Sequence, residues 1–189
     1  MNKLLSYTQG VSTGRIVFAF FVPAMAIYFV MVFYTIPQVE AYAQGMKLFD
    51  LSPLGYSFEY ASELLQALGN EGREKYLYRQ LPLDFLYPGL FAVSCTLLLT
   101  WLFLKTSENK SKIFYLCLVP AIAGVFDYLE NICVVHILWS YPSISKTSIA
   151  LASTMTIAKS ALTTIFFVLL LLGTVLFFIR ERNNKKNQG

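Results

Sequence analysis

Four long runs of apolar residues alternate with shorter polar segments along the chain. The runs cover residues 16–36, 85–104, 113–138 and 149–179. A bilayer core about 30 Å thick needs roughly 20 apolar residues in a helix, because each residue rises about 1.5 Å. Peptide groups in lipid have no water to bond to, so each run must form a closed helix. The pattern predicts an all-α membrane protein, a bundle of four transmembrane helices.

The stretch between the first two runs, residues 37–83, is expected to be a long outer loop that contains short amphipathic helices. After Ser57, apolar residues recur at helical spacing up to a typical C-terminal stop at Gly69-Asn70; they are Tyr60, Ala61, Leu64, Leu65 and Leu68. A second helical stretch, residues 71–80, carries Arg73, Tyr76 and Arg79 three positions apart. These three are candidate ligand-binding residues above the bundle. The alternative is that they anchor an interfacial helix at the lipid headgroups.

Composition agrees with a membrane environment. Hydrophobic residues make up 56% of the 189 and charged residues only 14%, against roughly a quarter charged in ordinary soluble domains. No linker and no internal repeat divides the sequence, so residues 1–189 are expected to form one domain. The formal charge is +4, but the basic residues flank apolar runs instead of forming a stripe with aromatic residues. Nucleic acid is therefore not an expected partner.

The distribution of basic residues predicts the orientation of the spans. Nine of the fifteen lie on one side of the membrane if the four runs all cross it: Lys3, Arg15, Lys105, Lys110, Lys112, Arg180, Arg182, Lys185 and Lys186. The positive-inside rule then places both termini in the cytoplasm and the protein in the cell's inner (plasma) membrane. A cleaved signal ending at Ala41-Tyr42-Ala43 is the alternative. The first run, about 21 residues, is longer than the roughly 7–15 of a signal sequence.

The third run contains ionisable residues, which cost several kcal/mol inside a membrane and therefore usually face the bundle interior. Asp127, Glu130 and Asn131 share one arc of the predicted helix. Its opposite face is apolar: Ile122, Val125, Leu129 and Ile132. Two carboxyl groups this close can hold a proton for acid/base chemistry. Asp127 and Glu130 are thus candidate catalytic residues, and Asn131 is a candidate ligand-binding residue.

Two more charges, Asp84 just before the second run and Lys159 in the fourth, also fall in the outer third of the membrane. Counting about 1.5 Å per residue from the basic ends, Asp84 and Lys159 lie about 30 Å up and Asp127 about 21 Å up. We expect a polar pocket open to the outer face, with Lys159 as a third catalytic residue and Asp84 binding ligand. The alternative is that an acid pairs with Lys159 only to hold helices together.

Other kinds of chemistry have little support in the sequence. The three cysteines, Cys95, Cys117 and Cys133, stand apart without metal-site spacing, and His136 is read as an interfacial residue beside Trp139. Hydrolase, metalloprotease, phosphate-loop and dinucleotide motifs are absent. No metal and no cofactor are expected.

In its four helices and in the polarity of Asp127, Glu130 and Asn131, the chain resembles the emopamil-binding-protein type of sterol isomerase. The resemblance covers architecture and this polarity, and no residue role follows from it. Three functions are compatible with the residues: an enzyme acting by acid/base chemistry on a lipid or apolar small molecule, a non-enzymatic binding or accessory subunit, and a proton-coupled transporter. A second copy of the chain or another membrane protein is a further candidate partner.

Overall fold

The computed structural model describes residue 10, residues 12–106 and residues 110–186, without the side chains of 110–113 and 186. All secondary structure in these ranges is helical. Four helices are long and apolar enough to cross a membrane. The predicted all-α architecture of a multi-pass membrane protein is therefore confirmed. Lys3 and the side chains of Lys110, Lys112 and Lys186, which contribute to the predicted orientation, lie outside the described part.

The helices of the described ranges follow one another with few breaks. Their bounds are α1 Gly14–Val30, α2 Ile36–Glu40, α3 Phe58–Lys75, α4 Leu81–Thr106, α5 Lys110–Cys117, α6 Val119–Ser140 and α7 Lys146–Lys186. Wide π-helical turns join α1 to α2 and α3 to α4, over Met31–Thr35 and Tyr76–Gln80. The membrane-length helices are α1 with α2, α3 with α4 over Phe58–Thr106, α6 with the end of α5, and α7.

Prolines account for the irregular turns. Pro37 and Pro82 each lie two residues beyond a π-helical turn, and a proline offers no N–H to the carbonyl four residues earlier. The amide of Ile36 instead bonds to the carbonyl of Met31, five residues back. The two turns contact each other, because the buried Thr35 hydroxyl donates to Oε1 of the buried Gln80.

Helix α4 is the central element of the bundle. It contacts α1, α6 and α7, and α6 packs along much of α7. The α4–α6 approach is close at Gly124, where an added Cβ would lie 2.9 Å from Cβ of Ala92 and 3.1 Å from the carbonyl oxygen of Pro88. A small residue at such a crossing permits tight packing of helices in a membrane.

Residues 41–80 form a compact unit, here called the cap, at one end of the bundle. Helix α3 begins after Ser57, whose hydroxyl accepts the amide of Tyr60 at 3.1 Å, and it is broken at Gly69, where φ is +58°. Buried apolar residues of the cap join residues of α6 and α7 in one core: Leu48, Phe49, Leu64, Leu65, Leu68, Tyr76, Ile137, Ile149 and Ala152. Most of the cap is thus helical and packed, not an open loop.

Candidate functional site

A cavity of about 400 Å³ lies where the cap meets the bundle. It is lined by residues of α1 and the π-helical turn after it, of α2, α4, α6 and α7, and by Asp50, Leu51 and Pro53 of the cap. Ligand pockets of proteins are typically about 300–1,000 Å³. The cavity is therefore large enough for a small molecule or part of a lipid.

The polar part of the cavity centres on Lys159 of α7. Its Nζ lies 3.1 Å from Oδ1 of Asp127 and also forms an ion pair with Glu130. Asp127 and Lys159 line the cavity. Glu130 is fully buried and accepts the Thr156 hydroxyl at 2.6 Å. Glu130 is not among the residues that line the cavity, so it acts on a ligand through its ion pair with Lys159.

A second acidic wall faces this group across the cavity. Asp84, only 4% exposed, extends from the first turn of α4, and its Oδ2 has no hydrogen-bond partner among the described residues. Asp50 comes from a short 3₁₀ turn of the cap and accepts the hydroxyl of the buried Tyr76. Both aspartates line the cavity, and they are close enough to interact electrostatically.

Asn131 serves as a structural link behind the cavity. Its side chain is fully buried, and its amide donates to the backbone carbonyl of Asp84 at 2.8 Å. The bond joins α6 to the start of α4. It holds the Asp84 backbone in place, whereas Asn131 itself is not among the residues that line the cavity.

The arginines predicted above the pocket have other contacts. Arg73 donates to the Leu65 carbonyl at 2.7 Å, and its guanidinium lies 4.2 Å from the centre of the Tyr141 ring. Arg79 donates to Gln38 at 3.1 Å on the exposed side. Neither arginine is among the residues that line the cavity. Of the three residues predicted in 71–80, Tyr76 contributes to the site indirectly, because its hydroxyl donates to the Asp50 carboxylate.

Apart from three hydroxyl residues of α7, Ser160, Thr163 and Thr164, the remaining cavity surface is apolar and aromatic. Tyr28 of α1 and Tyr87 of α4 lie side by side, with ring centroids 5.8 Å apart, and Phe91 continues this wall. Tyr28 and Phe167 are 40% and 56% exposed, on α1 and α7 respectively. Both side chains line the cavity and are also exposed on the outer surface of the bundle.

Sequence reasoning missed two components of the site. Asp50 lies in the cap between Phe49 and Leu51, and the flanking apolar residues were the only signal that this acid turns inward. The contribution of α1 had no signal, because its residues in the cavity are ordinary apolar and aromatic side chains such as Tyr28 and Met31.

Comparison of the chain with protein-family models, with curated protein sequences and with solved structures found no match.

Proposed function

We propose that the chain binds a lipid or another apolar small molecule in the cavity and modifies it by acid/base chemistry. The supporting observation is that one cavity joins the Asp127–Lys159 pair to an aromatic wall and to the exposed side chains of Tyr28 and Phe167. We infer from these two residues that the cavity opens sideways between α1 and α7. An apolar molecule can enter from the bilayer through this opening. Its reactive part then lies against the ion pair, and its tail against Tyr87 and Phe91.

The geometry gives the candidate residues different roles in this chemistry. Asp127 lines the cavity beside Lys159, so its carboxyl can touch the reactive part of a ligand and exchange a proton with it. Lys159 stabilises negative charge that develops on the ligand or on Asp127. Glu130 is a positioning residue, since it does not line the cavity and acts through its ion pair with the ammonium group of Lys159.

A binding or accessory role without chemistry is the second candidate. The observation in its favour is that Lys159 already pairs with both Asp127 and Glu130. Such pairing satisfies intramembrane charges and joins helices, which is a structural use of ionisable residues. A proton-coupled transporter stays a prediction from the sequence that no feature of the fold favours.

We further propose that the cap lies on the outer face of a plasma membrane, with both termini in the cytoplasm. The support is the excess of basic residues at the ends of the spans opposite the cap, including Arg15, Lys105, Arg180 and Lys185. Ligand would then enter from the outer half of the bilayer. Chemical labelling from the two sides of the membrane tests this orientation.

Native mass spectrometry of the purified full-length protein tests the function. We expect wild type to retain one defined apolar compound, and Thr163→Phe to lose it, because Thr163 lines the cavity and a phenyl ring would occupy that volume. Asp127→Asn should fold and bind but retain a chemically different compound, the unconverted substrate. The same compound in both proteins would favour binding without chemistry.

The control is Thr174→Phe on the same helix, since Thr174 is not among the residues that line the cavity. It should retain the compound as wild type does. A clean unliganded mass for wild type in several mild detergents would contradict the proposal.

A further inference from the structure

The cavity has more acidic groups than it has cations to balance them. Asp50, Asp84 and Asp127 all line it, whereas Lys159 is the one basic side chain among its lining residues. The ammonium group of Lys159 is already shared by Asp127 and Glu130. Lys159 acts on Asp50 and Asp84 only at longer range, and neither aspartate forms an ion pair among the described residues. Buried charge of this kind is expensive unless it is paired.

Asp84 shows the imbalance at a single atom. The residue is only 4% exposed, and its Oδ2 accepts no hydrogen bond from the described residues. Neighbouring donors are committed elsewhere: the Asn131 amide bonds to the Asp84 backbone carbonyl, and the Tyr76 hydroxyl bonds to Asp50. A buried acceptor without a donor costs about 1–3 kcal/mol, so a donor supplied by a ligand would be well bound.

We propose that Asp50 and Asp84 form a subsite for an ammonium group, and that the ligand of the cavity is an amphiphile with one cationic head and an apolar tail. The inference rests on the proposed function in one respect, that the cavity holds a molecule from the bilayer. It goes further by assigning that molecule a positively charged head group. Asp84 of α4 and Asp50 of the cap hold the head between them.

The rest of the cavity supports this class of ligand. Tyr28 and Tyr87 lie next to the acidic wall, and aromatic faces attract cations as well as apolar groups. Phe91 and Phe167 extend toward the sideways opening and would contact the tail. A ligand with a phosphate or carboxylate beside its ammonium group would bring a second negative charge against three aspartates. Alkylamines and related bases without phosphate therefore fit better than zwitterionic phospholipids.

Matched probes separate the charge of the head from the length of the tail. Dissociation constants are measured for full-length protein in a neutral detergent, with hexadecylamine, hexadecanol and phosphatidylethanolamine, by titration in native mass spectrometry. We expect the amine to bind wild type at least about tenfold more tightly than the alcohol, as a charge-assisted hydrogen bond in a buried site would give. Phosphatidylethanolamine should bind no better than the alcohol.

Variants assign the effect to the subsite. Asp84→Asn should weaken amine binding at least about tenfold and leave alcohol binding unchanged. Asp50→Asn, in a half-buried turn, should weaken it in the same direction and serves if Asp84→Asn fails to fold. Glu63→Gln removes an exposed acid of α3, far from the lining residues, and should change neither constant.

Three results would overturn the subsite. Equal binding of amine and alcohol, both lost in Thr163→Phe, would leave the cavity a lipid site and refute the ammonium group. Tight amine binding that survives both Asp84→Asn and Asp50→Asn would place the amine elsewhere on the protein. Binding of none of the probes, together with a clean unliganded mass for the purified protein, would refute the ligand cavity as well.

Discussion

Lys159 is the residue on which the electrostatics of the bundle interior depend. One ammonium group contacts two carboxyls of α6, and its side chain is only 15% exposed. A buried ion pair contributes little net stability compared with an apolar replacement, but loss of one partner is costly because the other charge stays buried. The protein is therefore sensitive to loss of Lys159 alone, which leaves two acids without a cation, and tolerant of joint replacement of all three residues.

Lys159→Met should strongly destabilise the protein, by about 3–5 kcal/mol, because Asp127 and Glu130 would lose their cation. The triple variant Lys159→Met, Asp127→Asn, Glu130→Gln should regain most of that loss, since none of the three positions then carries a charge. Thermal unfolding in one detergent measures both effects. A triple variant no more stable than Lys159→Met would show that the three residues do not act as one electrostatic unit.

These intramembrane acids could be recognised from sequence, whereas their partners could be recognised only in part. Asp127 and Glu130 stand out because charge in a membrane helix is rare, and the lysine in the last span is the obvious cation. Asp50 could not be placed, because it lies in a polar segment where an acid is ordinary. Arg73 and Arg79 were expected near the pocket for their charge, yet their nearby acceptors in the cap and α2 bind them instead.

At the scale of elements, the segment from Ser52 to Ser57 attaches the cap to α7. Tyr56 donates its amide to Oγ of Ser153 at 2.9 Å. Gly55 has φ +82°, and a Cβ there would lie 2.5 Å from the same Oγ and 2.8 Å from Cδ1 of Ile157. Two separate constraints therefore favour glycine at position 55: the positive φ angle and the close approach to α7.

Gly55→Ala should destabilise the protein by about 1–3 kcal/mol and weaken retention of any cavity ligand, because the segment must move off α7. The control is Gly45→Ala. Gly45 has nearly the same backbone angle, φ +84°, but no atom within 4 Å of its added Cβ. It measures the backbone strain alone, and it should leave ligand retention unchanged. Thermal unfolding and native mass spectrometry report the two quantities. Equal effects from both substitutions would contradict a tight contact between the cap and α7.

The elements themselves were largely predictable, and their arrangement was not. Apolar length alone identifies the four spans, and helical periodicity identifies α3 with its cap at Ser57. Helix α1 is apolar on every side, so its sequence does not indicate which face packs against a neighbouring helix. The sequence could therefore not place the cavity between α1 and α7. Nor could it show that the π-helical turns before Pro37 and Pro82 would contact each other.

At the scale of the whole molecule, the acidic groups are concentrated at the end of the bundle that the cap covers. Asp50, Asp84 and Asp127 line the cavity there, with Lys159, whereas Lys105, Arg180 and Lys185 lie at the opposite end of their helices. This polarity links the orientation of the protein to the route of its ligand. If the cap faces outward, the cavity meets the outer half of the bilayer.

Labelling of single cysteines decides that orientation. In a background with Cys95, Cys117 and Cys133 replaced, Gln66→Cys places a thiol on the exposed side of α3 in the cap, and Lys185→Cys places one at the exposed end of α7. In intact cells, a membrane-impermeant maleimide should label Gln66→Cys at once and Lys185→Cys only after permeabilisation, because the basic end of the spans is retained inside. The reverse pattern would invert the protein and move ligand entry to the cytoplasmic half of the bilayer. Labelling of both in intact cells would mean either that the protein inserts in both orientations or that the chain crosses the membrane an even number of times between residues 66 and 185. The second case would contradict the three crossings by α4, α6 and α7.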